Sequence, residues 1–328
     1  MMKILFLARP DLFRIRAGDT VQLVQLTTAL EKVGLNIDLR TELDNDMMGD
    51  YDLVHLFNVL RCDSSFEQCL TVKSFRKPLI ITPIYWNMRE YLEWAAPSKL
   101  ANWNNGQQKR EQILSMADLI APNAEREWLE IEKDFAPGLP HRVIYNGVNP
   151  LFYNSSCKER GGIISVGRIH RRKNQLTLIR ALNDLNIPVT IIGDVNDRAY
   201  YQQCMSEKKR QIKIITGLKQ SELLAYYGEA RVHLLASWYD TPGLVNLEAG
   251  LAGCNLVTTN RGTAQEYFAD YAYYCSPDDC KEIREKTIQA YYAPLKEGLP
   301  EIILKRFSWG VIAEKTKKIY NELLNGLI

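Results

Sequence analysis

The sequence predicts an α/β chain of two doubly wound, Rossmann-like domains, on three observations. Short apolar runs without strict polar alternation recur along the chain, separated by stretches of helical periodicity, as parallel strands covered on both faces would be. This rhythm starts at residue 2 and restarts at residue 162, beyond a polar linker through Asn154, Ser155 and Ser156, which places the boundary near 150–158. With 328 residues the chain is long enough for two separate cores.

Composition narrows the function classes. Apolar residues at 46% and charged residues at 24% fit an ordinary globular protein. A net charge of +2 argues against a general nucleic-acid binder. The first apolar run, residues 4–8, is too short for a signal-peptide core, and no run approaches the roughly 18 apolar residues of a membrane span. Seven cysteines, an odd number without a CxxC pair, fit reduced thiols in the cytoplasm better than a disulfide framework or a zinc site. The four histidines stand apart from one another, so no metal cluster is expected.

In the first half, residues 2–9 are expected as a strand and 20–33 as a helix with Val21, Leu23, Val24, Leu26 and Leu30 on its apolar face. Gly34 stops that helix before a strand at 35–39. Gly18 lies in the loop at the carboxyl edge of the first strand, where open α/β sheets bind ligands, although any tight turn before a helix would use a glycine. Strands at 51–56, 78–82 and 117–122 alternate with helices at 65–75 and 124–135. His55 reads as a buried strand residue, and the spaced acids Asp44 and Asp46 as a solvated turn. Between 85 and 110, Trp86, Tyr91, Trp94 and Trp103 interleave with Arg89, Lys99, Lys109 and Arg110. That composition fits stacking on sugar rings, resting on a membrane interface, or plain packing beneath a solvated face.

In the second half, a strand at 162–168 runs into a basic loop and a helix over 174–185. Strands at 189–193, 213–216 and 232–236 follow, with a short helix at 221–227 capped by Ser221. Residues 237–266 then give the sharpest pattern. Asp240 sits in a loop, Pro242 and Gly243 break the chain, and a helix starts at Leu244 with Glu248 in its early turns. Gly253 ends that helix before a strand at 255–259. The helix start offers free amides, a seat for a diphosphate. Eight residues advance a helix two turns plus roughly 80°, so Asp240 and Glu248 flank the seat from different sides.

The acid, seven residues, then Glu248, with Gly243, Leu244 and Val245 inside, resembles the E-x7-E signature of retaining family 4 glycosyltransferases of the GT-B fold. The resemblance implies two domains facing across a cleft: 1–152 on the acceptor side, 153–305 on the donor side, and a helix at 306–328 crossing back to the first. It implies Asp240 on the transferred sugar, Glu248 on the ribose, and the amides of Gly243, Leu244 and Val245 at the phosphates and sugar. Gly167, Arg168 and Lys173 are similar to the family's "GR…K" segment, whose cations clamp the diphosphate as its charge grows. Gly18 corresponds to a glycine that lies over the donor pyrophosphate. Residues 146–149 resemble the family's "NGVD" segment, with Asn149 for Asp. Two departures stand out: Asp240 replaces the usual Glu, and residues 84–87 lack the histidine that family members commonly place there, leaving Tyr85 or Asn87.

The implied activity is transfer of a sugar, with retention, from a nucleotide diphosphate sugar to a hydroxyl acceptor such as a glycan, a glycolipid or a small molecule. No metal and no cofactor besides the donor are expected, and a lipid-linked acceptor would bring peripheral contact with the inner membrane face. Two other readings stay open: a catalytically weak nucleotide-sugar binding subunit of a glycosyltransferase complex, and a sugar-nucleotide epimerase on the same fold. A nicotinamide dehydrogenase is disfavoured, because no GxGxxG follows either domain's first strand.

Overall fold

The computed structural model describes residues 2–15, 17–153 and 160–328, so the Asn154, Ser155 and Ser156 linker lies outside the described residues. The chain divides into two compact units, Met1–Gly147 together with Trp309–Ile328, and Val148–Ser308.

The first unit runs β1 (Lys3–Leu7), α1 (Gly18–Lys32), β2 (Asn36–Arg40), β3 (Leu53–Phe57), α2 (Cys62–Ser74) and β4 (Leu79–Thr82). Three short helices follow, α3 (Arg89–Ala95), α4 (Leu100–Asn105) and α5 (Gln107–Ser115), then β5 (Leu119–Ile120) and α6 (Glu125–Phe135). The strands are all parallel in the order β2-β1-β3-β4-β5, so the order reverses between β1 and β3. Continuous apolar runs such as Ile4, Leu5, Phe6 and Leu7 are buried throughout because helices cover both faces of such a sheet.

The unit is completed by α14 (Trp309–Leu324), whose Ile312, Ile319 and Tyr320 join Leu23, Leu26 and Leu30 of α1 in one core. Tyr320 Oη lies 2.7 Å from His55 Nδ1, and His55 Nε2 lies 2.8 Å from Thr82 Oγ1. Thr82 spends its own proton on the Ala121 carbonyl, so the imidazole donates through Nε2 and accepts from Tyr320. Burial pushes His55 down to about 3 and keeps it neutral; it is the buried strand residue expected.

The second unit runs β6 (Ile163–Val166), α7 (Gln175–Leu182), β7 (Val189–Ile192), α8 (Arg198–Glu207), β8 (Ile212–Ile215) and α9 (Leu223–Glu229). It continues with β9 (Val232–Leu235), α10 (Leu244–Leu251), β10 (Asn255–Thr259), α11 (Ala264–Phe268), β11 (Ala272–Cys275), α12 (Cys280–Tyr292) and α13 (Leu299–Phe307). Its six parallel strands are ordered β11-β10-β9-β6-β7-β8, the dinucleotide-fold arrangement, with its reversal between β6 and β9.

One local expectation is corrected. Ser221 is not a helix cap: Glu222 takes the amide of Lys219 at 2.7 Å, so a 3₁₀ turn over Gln220–Glu222 precedes α9. The aromatic stretch at 85–110 folds into α3 to α5, with Trp86, Tyr91 and Trp103 buried and Trp94 exposed. Asp44 caps a 3₁₀ turn by accepting the Asp46 amide at 3.1 Å. Among the described residues no helix is long and apolar enough to cross a membrane.

Candidate active site

The strand reversal of the second unit places two loops side by side at the carboxyl edge of the sheet, one after β6 and one after β9. The first is held by a glycine contact. A Cβ on Gly193 would stand 2.0 Å from the Gly167 carbonyl oxygen and 3.2 Å from the Arg168 amide nitrogen, so only glycine lets that peptide pass. Gln175 Nε2 then donates to the Arg168 carbonyl at 2.9 Å, and Arg168 Nη1 donates to Asn196 Oδ1 at 2.9 Å. Asn174, in the left-handed region at φ 61°, sends Nδ2 to the carbonyls of Ala236 and Pro277 at 3.0 and 2.6 Å, tying this loop to the end of β9.

The second loop carries Asp240, whose backbone pairs with Gly262. Gly262 sits at φ +88°, and a Cβ there would lie 2.2 Å from the Asp240 carbonyl oxygen; the neighbouring Thr263 amide donates to that oxygen at 3.1 Å. Gly243, at φ +81°, forms the cap of α10. Asn246 donates to the Pro242 carbonyl and to Thr258 Oγ1, both at 3.0 Å, and accepts from His233 Nδ1 at 3.0 Å. His233 Nε2 in turn accepts the Val166 amide at 3.4 Å; burial pushes this imidazole down to about 3. One neutral network therefore joins β6, β9, β10 and the first turn of α10. The amides of Leu244 and Val245, in that first turn, have no acceptor within the helix.

Across the two loops, Lys173 Nζ donates to both carboxylate oxygens of Asp240, at 2.6 and 2.9 Å. Solvent reaches only 13% and 10% of the two side chains. Burial alone would raise the Asp240 carboxyl, but the charges of Lys173 and Arg172 outweigh it and hold the group below the usual carboxylate range. Burial lowers the Lys173 ammonium, and the charge of Asp240 offsets that only in part. Glu248 sits deeper, accepting from Gln220 Nε2 at 2.8 Å and from Tyr227 Oη at 3.1 Å. Burial pushes its carboxyl up to about 7, against the opposing pull of those two hydrogen bonds.

The structure thus gathers Gly167, Arg168, Lys173, Asp240, Gly243, Leu244, Val245 and Glu248 around the β6 and β9 loops of the second unit. Lys173 and Asp240 bond each other, while Arg168 faces Asn196 and Glu248 faces Gln220 and Tyr227. Gly18 stands in the first unit as the first residue of α1, with open space where a Cβ would go. Tyr85 and Asn87 both donate to Asp134 Oδ2, at 2.6 and 2.9 Å. Sequence reasoning missed Asn174, Gln175, Gly193, His233 and Asn246, which hold the loops in place; only Gly193 left a signal, as the glycine ending a strand.

Residues 154–297 match the family model described as Glycosyl transferases group 1. The second unit carries a domain of that family. The glycogen synthase of Mycobacterium tuberculosis is 27% identical to this chain over 210 residues, which cover 58% of the chain and 51% of that protein. An uncharacterized glycosyltransferase of Methanocaldococcus jannaschii is 25% identical over 207 residues, covering 55% and 53%. The chain spans about half the length of the curated relatives it matches. Among solved structures, sucrose-phosphate synthase from Thermosynechococcus elongatus superposes with a TM-score of 0.85 at 16% identity, covering 99% of this chain and 100% of that one. Anabaena HepE in complex with UDP-glucose gives 0.75 at 16% identity, covering 98% and 100%. These likenesses establish the fold, that of GT-B glycosyltransferases.

Proposed function

We propose that the chain transfers a sugar from a nucleotide diphosphate sugar to a hydroxyl acceptor with retention of configuration. The observation that carries this reading is the buried Lys173 and Asp240 pair, 2.6 Å apart, beside Arg168 and the first turn of α10. As the bond from the anomeric carbon to the diphosphate breaks, negative charge grows on the leaving phosphate. Lys173, Arg168 and the amides of Leu244 and Val245 are fixed charges and dipoles suited to stabilise it, with no reorganisation at the moment of reaction. Asp240, kept ionised by Lys173, accepts hydroxyl hydrogens of the transferred sugar. Glu248 accepts those of the ribose, in place of the donors it now receives from Gln220 and Tyr227.

Retention follows from front-face attack. The acceptor oxygen bonds to the anomeric carbon on the side the diphosphate leaves, and its proton passes to the departing phosphate oxygen. A structurally similar protein, Anabaena HepE, is solved with UDP-glucose, which makes that the first donor to try.

The test is a thermal-shift panel of nucleotide diphosphate sugars on the wild type, Glu248→Ala and Arg168→Ala, followed by NMR of the product. A donor at 100 times its Kd raises stability by about 2.7 kcal/mol. A shift for one nucleotide, lost in both variants, with the donor's anomeric configuration kept in the product, supports the proposal. Inverted product refutes retention, isomerised donor without any acceptor points to an epimerase, and donor binding without turnover points to a binding subunit. No shift with any donor refutes the site.

A further inference from the structure

The first unit carries a cavity of about 570 Å³ that the donor site does not use. It lies at that unit's own strand reversal, between the loop after β1 and the start of α2, and is walled by the junction of α4 and α5. Its charge is unbalanced. Arg14, Arg61, Lys109 and Arg110 line it against only Asp11 and Asp63. Asp11 is already shared by two guanidinium groups, Arg9 at 2.6 Å and Arg61 at 3.2 Å, and Asp63 is taken by Lys109. Arg14 and Arg110 are left without a carboxylate among the described residues.

Arg110 is 3% exposed, an unusual place for a guanidinium without a carboxylate. Its plane lies on Trp103, with Cζ 3.7 Å from the ring centroid, and Nη1 donates to the Trp103 carbonyl and to Gln107 Oε1 at 3.0 and 2.6 Å. Its Nε is buried with no acceptor. Beside it, α2 begins without a side-chain cap, and Ser64 turns its hydroxyl back onto the Arg61 carbonyl at 3.1 Å. The amides of Cys62, Asp63 and Ser64 therefore have no acceptor within the helix. Guanidinium and helix start are neighbours: a Cβ on Gly106 would lie 3.0 Å from Arg110 Nη2 and 3.1 Å from Cys62 Sγ.

We propose that this cavity is an anion site, taking the phosphate of a phosphorylated ligand between Arg14, Arg110 and the first-turn amides of α2. Assigning that phosphate to the acceptor, as a sugar phosphate or a lipid-linked phosphate, rests on the transfer reading above; the anion site does not.

Cys62, on the wall of the cavity, provides a local readout. Its alkylation by iodoacetamide in the full chain is followed by peptide-resolved mass spectrometry, with ionic strength fixed by chloride. Three probes are compared: inorganic phosphate, glucose 6-phosphate, and vesicles containing phosphatidic acid. Saturating phosphate is expected to slow Cys62 severalfold while leaving Cys280, the other half-buried thiol among the described residues, unchanged. Arg14→Glu, on an exposed side chain, raises the half-protecting concentration about tenfold, the loss of one charged hydrogen bond. Arg110→Gln abolishes protection. Protection by the soluble ester marks a soluble phosphate ligand, and protection only by vesicles marks a lipid head group; both support the site. Unchanged alkylation with all three probes, or equal protection in Arg14→Glu, overturns it. The donor thermal shift, measured on the same protein, separates the two proposals: protection without donor response sinks only the transfer reading, and donor response without protection sinks only the anion site.

Discussion

Replacing Gly193 with Ala tests how the β6 loop is held. The new Cβ would stand 2.0 Å from the Gly167 carbonyl oxygen and 2.6 Å from its carbon. A relaxed carbon to oxygen contact needs about 3.3 Å, so the two backbones must part by about 1.3 Å. They follow directly on the paired parallel strands β6 and β7, and the Gly167 amide donates to the Ile192 carbonyl at 2.9 Å across the same gap. Neither can give way as a flexible side chain would. Overpacking of this kind costs about 1–3 kcal/mol, and the strained ladder bond adds about 1 kcal/mol, so the expected loss is about 2–4 kcal/mol. At about 2–4 °C per kcal/mol, the melting temperature should fall by roughly 4–16 °C. Because the displaced peptide leads into Arg168, donor affinity should also fall. Circular dichroism melts and donor titration measure both. Gly310→Ala is the control: nothing lies within 4 Å of its Cβ, and its helical position should gain up to about 1 kcal/mol. If Gly193→Ala melts with the wild type and binds donor unchanged, the placement of the Gly167 peptide is wrong.

Other expectations follow from buried charges. Glu248 titrates at about 7 in the folded chain against an ordinary 4.5, so its contribution is complete below pH 4.5 and is lost as pH rises through 7, about 3 kcal/mol in all. Glu127, pushed by burial to about the same value, adds an equal slope. His55 and His233, pushed down to about 3, run the opposite way over the same range, so the test is the difference between variant and wild type. In urea unfolding, Glu248→Gln should gain about 3 kcal/mol on the wild type between pH 4 and 8, and a difference constant with pH would count against the buried carboxyl. Lys173→Met and Asp240→Asn each strand a buried partner and should cost about 3–5 kcal/mol, while the double variant recovers most of the loss. Additive losses would show that the two do not interact. Tyr320→Phe removes the donor to His55 Nδ1 and should cost about 1–3 kcal/mol in thermal unfolding. A neutral result would break the link drawn between α14 and β3.

Where glycine and proline punctuate the chain, sequence was enough. The start of α10 at Leu244 and the strand Asn255–Thr259 fall at the expected residues because Gly243 and Gly253 mark their ends. Helices α3, α4 and α5 gave no such signal, being six to nine residues each and held by tertiary contacts such as the stacking of Arg110 on Trp103. The polar α12 was missed as well, although Ile283, Thr287 and Ala290 form its buried face and Asp279 caps it. In the candidate site, the loop and helix start pointed to Asp240 and Glu248, and the family resemblance to Lys173. That Lys173 bonds Asp240, 67 residues away, depends on which strands become neighbours. The same holds for Gly193, whose steric role exists only because β7 lies against β6.

The last helix of the chain bears on how the protein is made. The first unit needs both Met1–Gly147 and Trp309–Ile328, so the ribosome must deliver the whole intervening unit before α14 can cover α1. At about 5–20 residues per second, that wait lasts about 8–30 s. Throughout it Leu23, Leu26 and Leu30 lack the α14 side chains that complete their burial, while Val148–Ser308, continuous in sequence, is free to fold. The nascent chain is thus expected to hold chaperones on residues 1–147 until α14 has been made, and ribosomes stalled before residue 309 should carry a protease-sensitive first unit beside a resistant second one.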